Sequence, residues 1–242
     1  MIFFILCFLL ISCRKDEPSD SSTSCNLYYY SDLRLKTHIC YYSSLSSNSY
    51  EFFYNNSGNV EEIKSTFITT SQDTNITRFL FEYTQSSITG FTKYHYYNQQ
   101  GDTTTGSLTF SGGLIQKVDI DPDDNNWDEY QYDANKKVIR VAKVFNGEEQ
   151  TYSSFKYNID CNISEENYNG NILRYDNYDL KKNPYRSLKL PEAIIYSLQL
   201  GWPFSQNNIL SSNFSYKYNS NDFPDTLDLL NGQMEYFNYE TY

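Results

Sequence analysis

The densest group of potential metal-ligating side chains is an acidic run over residues 119–129, which reads Asp-Ile-Asp-Pro-Asp-Asp-Asn-Asn-Trp-Asp-Glu. Oxygen ligands at alternate positions suit Ca²⁺, a hard cation that takes about six to eight oxygens. The EF-hand calcium loop, however, needs Gly at its sixth position and Glu at its twelfth, where this chain has Asp124 and Tyr130. We therefore favour a solvated loop between strands, whose charges keep a sheet edge from pairing with another chain.

No other group of residues has the spacing of a catalytic centre. His38 and His95 are the two histidines of the sequence, and neither has a Cys or His nearby at the usual metal-ligand spacing, so neither a zinc site nor a Ser-His-Asp triad is predicted. The sequence contains no Gly-rich phosphate loop and no Gly-x-Ser-x-Gly elbow. With 30 acidic residues, some pair of carboxylates always satisfies the spacing of a glycosidase, so that spacing is uninformative. The expectation is a protein without enzymatic activity, cofactor or metal.

One cysteine near the N-terminus has the setting for covalent modification. Residues 2–12 form an apolar run that is shorter than the roughly 20 residues of a membrane-spanning helix and has the length of a signal-peptide core. The run ends in Leu-Ile-Ser-Cys at Cys13, which resembles the bacterial lipobox, where a small residue precedes a thiol that accepts lipid. We predict a signal peptide over residues 1–12 and lipid, such as palmitate, on Cys13. No Lys or Arg precedes the run, and the alternative is an ordinary signal peptide that is cut nearby.

Residues 13–24 are rich in Ser, Thr and charged side chains and cannot bury apolar surface, so they are predicted to form a flexible tether. Lys15-Asp16-Glu17 resembles the acidic export signal of Bacteroidota lipoproteins, which implies an outer-membrane location facing outside the cell; the alternative is a solvated charged linker. The net charge of −11 argues against nucleic acid as a partner. It also argues against attraction to anionic headgroups, so membrane attachment would depend on the lipid on Cys13.

The remaining cysteines leave their pairing open. Once the signal peptide is removed and Cys13 is acylated, Cys25, Cys40 and Cys161 remain. A disulfide between Cys25 and Cys40 is compatible with an oxidising compartment, and Cys161 would then be left over. An odd count argues against a disulfide framework, so this one pairing is kept as a candidate.

The elements that would position these residues are predicted from the aromatic content, which comprises 25 Tyr and 16 Phe against 10 Gly. Four segments share a pattern of an aromatic residue, any residue, Tyr, an Asn/Asp-rich interval and a return to apolar residues. The tyrosines of these segments are Tyr54, Tyr132, Tyr157 and Tyr218. Because side chains alternate along a strand, aromatic-x-Tyr predicts a strand with one aromatic face, and the polar interval predicts a hairpin turn. The fold class predicted is mainly β: an antiparallel meander forming a curved, twisted sheet.

One segment departs from this pattern. Residues 190–200 contain Pro191 and a neighbouring Glu, then an apolar run that ends before Gly201, which predicts one short helix over 191–200 that plugs one end of the sheet. Residues 25–242 have a normal size for a single β-rich domain.

The hairpin units resemble the YD-type repeats of uncharacterised Bacteroidota surface lipoproteins. The match is closest in the C-terminal third, at Tyr175-Asp176, Lys182-Asn183-Pro184-Tyr185, Asn207-Asn208-Ile209 and Tyr216-Lys217-Tyr218-Asn219. The repeat glycine is kept only at Gly58, from which we expect the turn types to vary between units. The family resembled has no agreed activity.

We therefore predict a lipid-anchored protein with a non-catalytic binding or structural role and an envelope protein or a glycan as its partner. The alternative is a glycan-binding surface protein that stacks sugars on exposed aromatics such as Trp127 and Trp202, and a glycan-cleaving enzyme ranks third. For most of the tyrosines, packing between neighbouring strands is the favoured role.

Overall fold

A computed structural model of the chain describes residue 30 and residues 33–43, 45–71, 73–85, 87–97, 100–201, 203–210, 215–229 and 231–241. The structure is mainly β. The strands run as β1 Leu33–Ser43, β2 Ser46–Tyr54, β3 Val60–Ile68, β4 Thr74–Thr84, β5 Ser87–Tyr97, β6 Gln100–Ser111, β7 Leu114–Asp121, β8 Asn126–Tyr132, β9 Val138–Phe145, β10 Glu148–Tyr157, β11 Ile163–Tyr168, β12 Asn171–Arg174, β13 Tyr178–Lys182, β14 Asn207–Ile209, β15 Ser215–Tyr218, β16 Pro224–Asp228 and β17 Met234–Thr241. The helices are α1 Glu192–Ser197 and two 3-10 turns, Pro122–Asp124 and Pro184–Ser187.

Fifteen of these strands form one antiparallel sheet, which confirms the predicted meander. Strands β1 to β12 pair in chain order, each with the next. The last three strands join the opposite side, where β17 pairs with β1, β16 with β17 and β15 with β16. The sheet is open, with β12 and β15 at its edges, and β13 and β14 pair separately. The two ends of the described chain are therefore brought side by side.

The alternation predicted from aromatic-x-Tyr is confirmed. In β8, Tyr130 is buried and Tyr132 half-buried, whereas Gln131 between them is exposed. In β10, Phe155 is buried, Lys156 is exposed and Tyr157 is half-buried. Because side chains alternate along a strand, these aromatics share one face, and that face contributes to the core.

The expectation that turn types vary between the repeats was wrong. In all four units the fourth residue after the tyrosine has a left-handed backbone, with φ between 65° and 75°. These residues are Gly58, Lys136, Cys161 and Asp222. The residue after each tyrosine is Asn or Asp, and its side-chain oxygen accepts hydrogen bonds from backbone N–H groups two and four residues further on. These bonds fix one turn geometry even where the left-handed residue is not glycine.

The face of the sheet that carries the buried aromatics is here called the inner face. The segment from residue 178 to residue 209, here called the crossing segment, packs against it. It contains β13, the turn Pro184–Ser187, α1 and β14. Its apolar side chains are almost fully buried, among them Leu188, Leu190, Ile194, Leu200 and Phe204. Helix α1 is shorter than the predicted 191–200, because Pro191 is its N-cap and the chain already turns at Leu198.

Polar contacts tie the crossing segment to strands far apart in the sheet. The Ser187 hydroxyl accepts a hydrogen bond from the Leu35 N–H of β1 at 3.1 Å, and the Ser205 hydroxyl accepts one from the Ile163 N–H of β11 at 3.2 Å. The Tyr130 hydroxyl of β8 donates to the Ala193 carbonyl of α1 at 2.8 Å. The segment therefore lies across the inner face and does not plug one end of the sheet as predicted.

Candidate functional site

The acidic run borders a cleft of about 610 Å³. Strands β7 to β10 and the end of α1 contribute to its lining, which includes Trp127, Asp128, Lys143, Gln150 and Gln199. Lys93 and Asp121 also line it and approach each other to 3.7 Å. The lining thus combines carboxylates, ammonium groups and amides with the apolar side chains of Val118, Ile120 and Phe145.

Asp128 is the buried carboxylate of this cleft. Its Oδ2 accepts a hydrogen bond from the Ser197 hydroxyl at 2.7 Å, and the Ser197 oxygen lies 2.6 Å from the Tyr130 hydroxyl. Burial raises the pKa of Asp128, while the Ser197 hydrogen bond and the charge of Lys143 act in the opposite direction. The network connects the cleft wall to helix α1 and fixes the carboxylate in place.

Trp127 is half-buried and already has two polar neighbours. Its Nε1 donates to Glu129 Oε1 at 2.8 Å, and Lys117 Nζ lies 3.8 Å from the ring centre. Lys117 also pairs with Asp119 at 3.0 Å. The indole is therefore held in a defined orientation by a cation–π contact and a hydrogen bond, on the face of β8 opposite to Asp128.

The carboxylates of residues 119–129 are directed to separate partners. Asp119 pairs with Lys117, Asp121 approaches Lys93, Asp128 accepts from Ser197, and Asp124 Oδ1 accepts from a backbone N–H at 2.8 Å. Within the described ranges, these acidic side chains do not form a group of three ligand atoms close enough to share an ion. The interpretation of the run as a solvated loop that protects a sheet edge was wrong for most of it, because Asp119 and Asp128 are buried within β7 and β8 and both strands are internal to the sheet. The exposed turn comprises only residues 122–125.

A different group of potential metal ligands lies on the inner face at the junction of β1 and β17. His38 Nε2, Cys40 Sγ and a Glu235 carboxylate oxygen all lie within 4.8 Å of one another. Sequence reasoning missed this group because Glu235 is almost two hundred residues from Cys40 along the chain. The local signal was the pair His38-x-Cys40, which places an imidazole and a thiol on one face of a strand.

The candidate disulfide between Cys25 and Cys40 is not present, because Cys40 is a free, buried thiol in the structure. Cys161, predicted to be left over, is disulfide-bonded instead. Burial, with a contribution from Glu235, raises the pKa of the Cys40 thiol to about 12. A buried and protonated thiol is a poor partner for disulfide exchange, which is the physical reason for the correction.

Several predicted site residues lie outside the described residues: Cys13, which is predicted to carry lipid, Cys25 and Trp202. The same holds for the predicted signal peptide over 1–12 and the tether over 13–24. Among the described residues, no helix is long and apolar enough to cross a membrane.

No protein-family model matches this chain, and no curated protein matches it. Among solved structures, it is similar to a porin-like protein from Bacteroides uniformis, with 11% sequence identity and a TM-score of 0.49. The alignment covers 88% of this chain and 99% of that protein.

Proposed function

We propose that this protein is a non-catalytic binding protein, held on the outer membrane by lipid on Cys13 and facing outside the cell, with the cleft at Asp128 and Phe145 as its ligand site. The observation that carries the binding role is the lining of the cleft, where the buried carboxylate of Asp128 and the exposed ring of Phe145 lie among ammonium groups and amides. A cleft of about 610 Å³ has the size of a small-molecule or oligomer site, for which about 300–1,000 Å³ is usual.

The ligand class that suits this lining best is a carbohydrate. Sugars present apolar C–H faces that stack on an aromatic ring, and hydroxyl groups that exchange hydrogen bonds with carboxylates and amides. Phe145 would supply the stacking surface, and Asp121 and Gln150 the polar contacts. The repeated tyrosines are poor candidates for this role, because Tyr54, Tyr132 and Tyr157 are half-buried and use their hydroxyls within the sheet.

The binding site is tested by titrating the full chain with a panel of bacterial and host polysaccharides and measuring affinity by calorimetry. Phe145→Ala should lower the affinity for the bound polysaccharide by at least tenfold. Tyr97→Ala is the matched control, since Tyr97 is 49% exposed and does not line the cleft. Equal affinity of both variants would remove the cleft from the proposal. Release of reducing sugar during the titration would show turnover and overturn the non-catalytic role.

The location is tested separately by metabolic labelling with a fatty-acid analogue. Cys13→Ala should abolish labelling and membrane retention and leave the β circular-dichroism signal unchanged. Cys7→Ala is the control, because that cysteine lies within the predicted signal peptide and should leave labelling intact. Labelling that persists in Cys13→Ala would disprove the lipid anchor but leave the cleft proposal untouched.

A further inference from the structure

Strand pairing brings three different metal-ligating groups to one point. His38 and Cys40 are two residues apart on β1 and therefore project from the same face. Glu235 is the direct partner of Cys40 on β17, and Phe237 is the partner of His38. His38 Nε2 lies 2.9 Å from Glu235 Oε2 and 3.2 Å from Cys40 Sγ.

We propose that His38, Cys40 and Glu235 form a binding site for Zn²⁺. Imidazole nitrogen, thiolate sulfur and carboxylate oxygen are the three ligand types that proteins use for zinc. Hard cations such as Ca²⁺ and Mg²⁺ prefer sites made of oxygen alone, so the thiol and the imidazole select against them.

The spacing of the ligand atoms is close to that of a zinc site. Tetrahedral bonds of about 2.0–2.3 Å place neighbouring ligand atoms about 3.3–3.6 Å apart. The two separations of 2.9 and 3.2 Å would each need to widen by about 0.4 Å, which side-chain rotation can supply.

The surroundings of His38 hold its ring in the orientation that the site requires. The imidazole stacks on Phe237 with ring centres 4.6 Å apart, and on Tyr50 at 5.7 Å. Its Nδ1 lies 3.4 Å from the Tyr185 hydroxyl, so Nδ1–H can donate to that oxygen while Nε2 binds the ion. Such an outer hydrogen bond on a ligating histidine is usual in zinc sites.

Tyr185 is itself fixed by close packing. A Cβ atom added at Gly201 would lie 1.9 Å from Tyr185 Cζ, so only glycine leaves room for this ring. The tyrosine is 8% exposed and belongs to the core cluster. The Tyr185 hydroxyl that contacts His38 Nδ1 is therefore held in place by the packed core.

Three protein ligands leave one position of a tetrahedral ion for another group, as in catalytic zinc sites. A cavity of about 220 Å³ adjoins the group through Glu235 and Phe237, and Asn208 and Tyr216 also line it. Water or a small anionic ligand from this cavity could complete the coordination. The site is separate from the cleft at Asp128, with which it shares no lining residue.

The test uses the purified full chain without a histidine tag, titrated with Zn²⁺ in competition with a chromogenic chelator. One ion should bind per chain, and Cys40→Ser, His38→Gln and Glu235→Gln should each weaken binding by roughly 100-fold or more. Tyr185→Phe should weaken it by about 10- to 100-fold, the usual effect of losing an outer hydrogen bond. The matched controls are His95→Gln and Glu240→Gln, which should bind as the wild type does.

Cobalt substitution distinguishes a metal site from a His–Glu pair that only stabilises the fold, because only a metal site gives a cobalt spectrum. Co²⁺ in the wild type should give the intense visible bands of a tetrahedral site and a thiolate charge-transfer band, and the latter should disappear in Cys40→Ser. Cys40→Ala provides a second thiol-free variant if the serine variant fails to fold. Absence of one-to-one binding in the wild type, or a cobalt spectrum unchanged by the loss of Cys40, would overturn the proposal.

Discussion

The hydroxyl of Tyr157 donates a hydrogen bond of 2.6 Å to the carbonyl of Val138, the first residue of the preceding strand. The same contact recurs in other hairpins of the sheet, from a tyrosine late in one strand to a carbonyl at or near the start of the strand before it. These further pairs are Tyr54 with Leu35, Tyr83 with Val60, Tyr132 with Ile115 and Tyr239 with Pro224. Tyr218 differs, because its hydroxyl bonds the Asp179 carboxylate. The repeated tyrosine therefore fastens successive hairpins and is a structural residue of the fold.

The first prediction separates the contribution of the tyrosine hydroxyl to stability from that of the buried ring. Tyr132→Phe removes only the hydroxyl bond and should lower the free energy of unfolding by about 1 kcal/mol. Tyr132→Ala also removes the ring from the core and should cost about 3–5 kcal/mol. Gln131→Ala is the control, because this neighbouring side chain is exposed and its loss should cost less than about 0.5 kcal/mol. Urea unfolding of the three variants measures these differences, and similar values for Tyr132→Ala and Gln131→Ala would contradict the burial of the aromatic face.

The second prediction concerns the left-handed turn residue. Lys136 has φ of 65°, a conformation that is strained for any residue with a Cβ, so Lys136→Gly should stabilise the protein by about 0.5–1 kcal/mol. Gly58 holds the equivalent position in the first hairpin with φ of 75°, and Gly58→Ala should destabilise by about 1 kcal/mol. Thermal melting of both variants tests the shared turn geometry. The same sign of change in the two variants would show that their turns differ.

The third prediction is cooperative unfolding at alkaline pH. Burial raises the pKa of Tyr83 and of Tyr178 to about 12, and it also raises the pKa of Tyr132 and Tyr157. In the unfolded chain these phenols ionise near pH 10, so their contribution to stability is fully present below pH 10 and is lost as the pH rises towards 12. Within that window each such tyrosine lowers the free energy of unfolding by about 1.4 kcal/mol per pH unit.

Tyrosinate absorbance and circular dichroism, recorded together from pH 8 to pH 13, provide the measurement. The absorbance should include a steep step, contributed by the buried tyrosines, that coincides with the loss of the β signal. A rise without such a step, complete while the fold is intact, would mean that these tyrosines are open to water.

The fourth prediction concerns the ion pair between Arg186 and Glu192 in the crossing segment. Arg186 is 1% exposed, and its Nη1 donates to Glu192 Oε1. Two further nitrogens of this guanidinium, Nε and Nη2, have no hydrogen-bond partner among the described residues. Glu192→Gln would leave a buried charge without compensation and should cost about 3–5 kcal/mol. Glu240→Gln breaks the more exposed pair with Arg34 and should cost at most about 1 kcal/mol.

Urea unfolding of these variants also measures how much the ion pair contributes to the free energy of unfolding. The double variant Arg186→Met with Glu192→Leu removes both charges, so it should be more stable than Glu192→Gln alone. A double variant less stable than Glu192→Gln would show that the charges stabilise the fold on balance.

The sequence by itself determined the hairpins. Aromatic-x-Tyr specifies a strand with one aromatic face, and the following Asn or Asp specifies the turn, because both interactions join residues close in the chain. Strands β1 to β12 pair in chain order, so local rules were enough to predict the meander. Even so, the uniform turn at Gly58 and Lys136 was not predicted, because only the first of these positions is a glycine. Backbone N–H groups that donate to the side-chain oxygens of Asn55 and Asp133 fix the same turn geometry in both hairpins.

Only the tertiary structure decided which distant residues meet. The pairing of β17 with β1 places Glu235 beside Cys40, and the crossing segment brings Ser197 to Asp128. These contacts form because the whole inner face is buried together. They join residues far apart in the chain, so the spacing of residues along the sequence does not predict them. The short helix could be predicted because its apolar run is local. Its position across the sheet could not be predicted, because that position is fixed by packing against several strands at once.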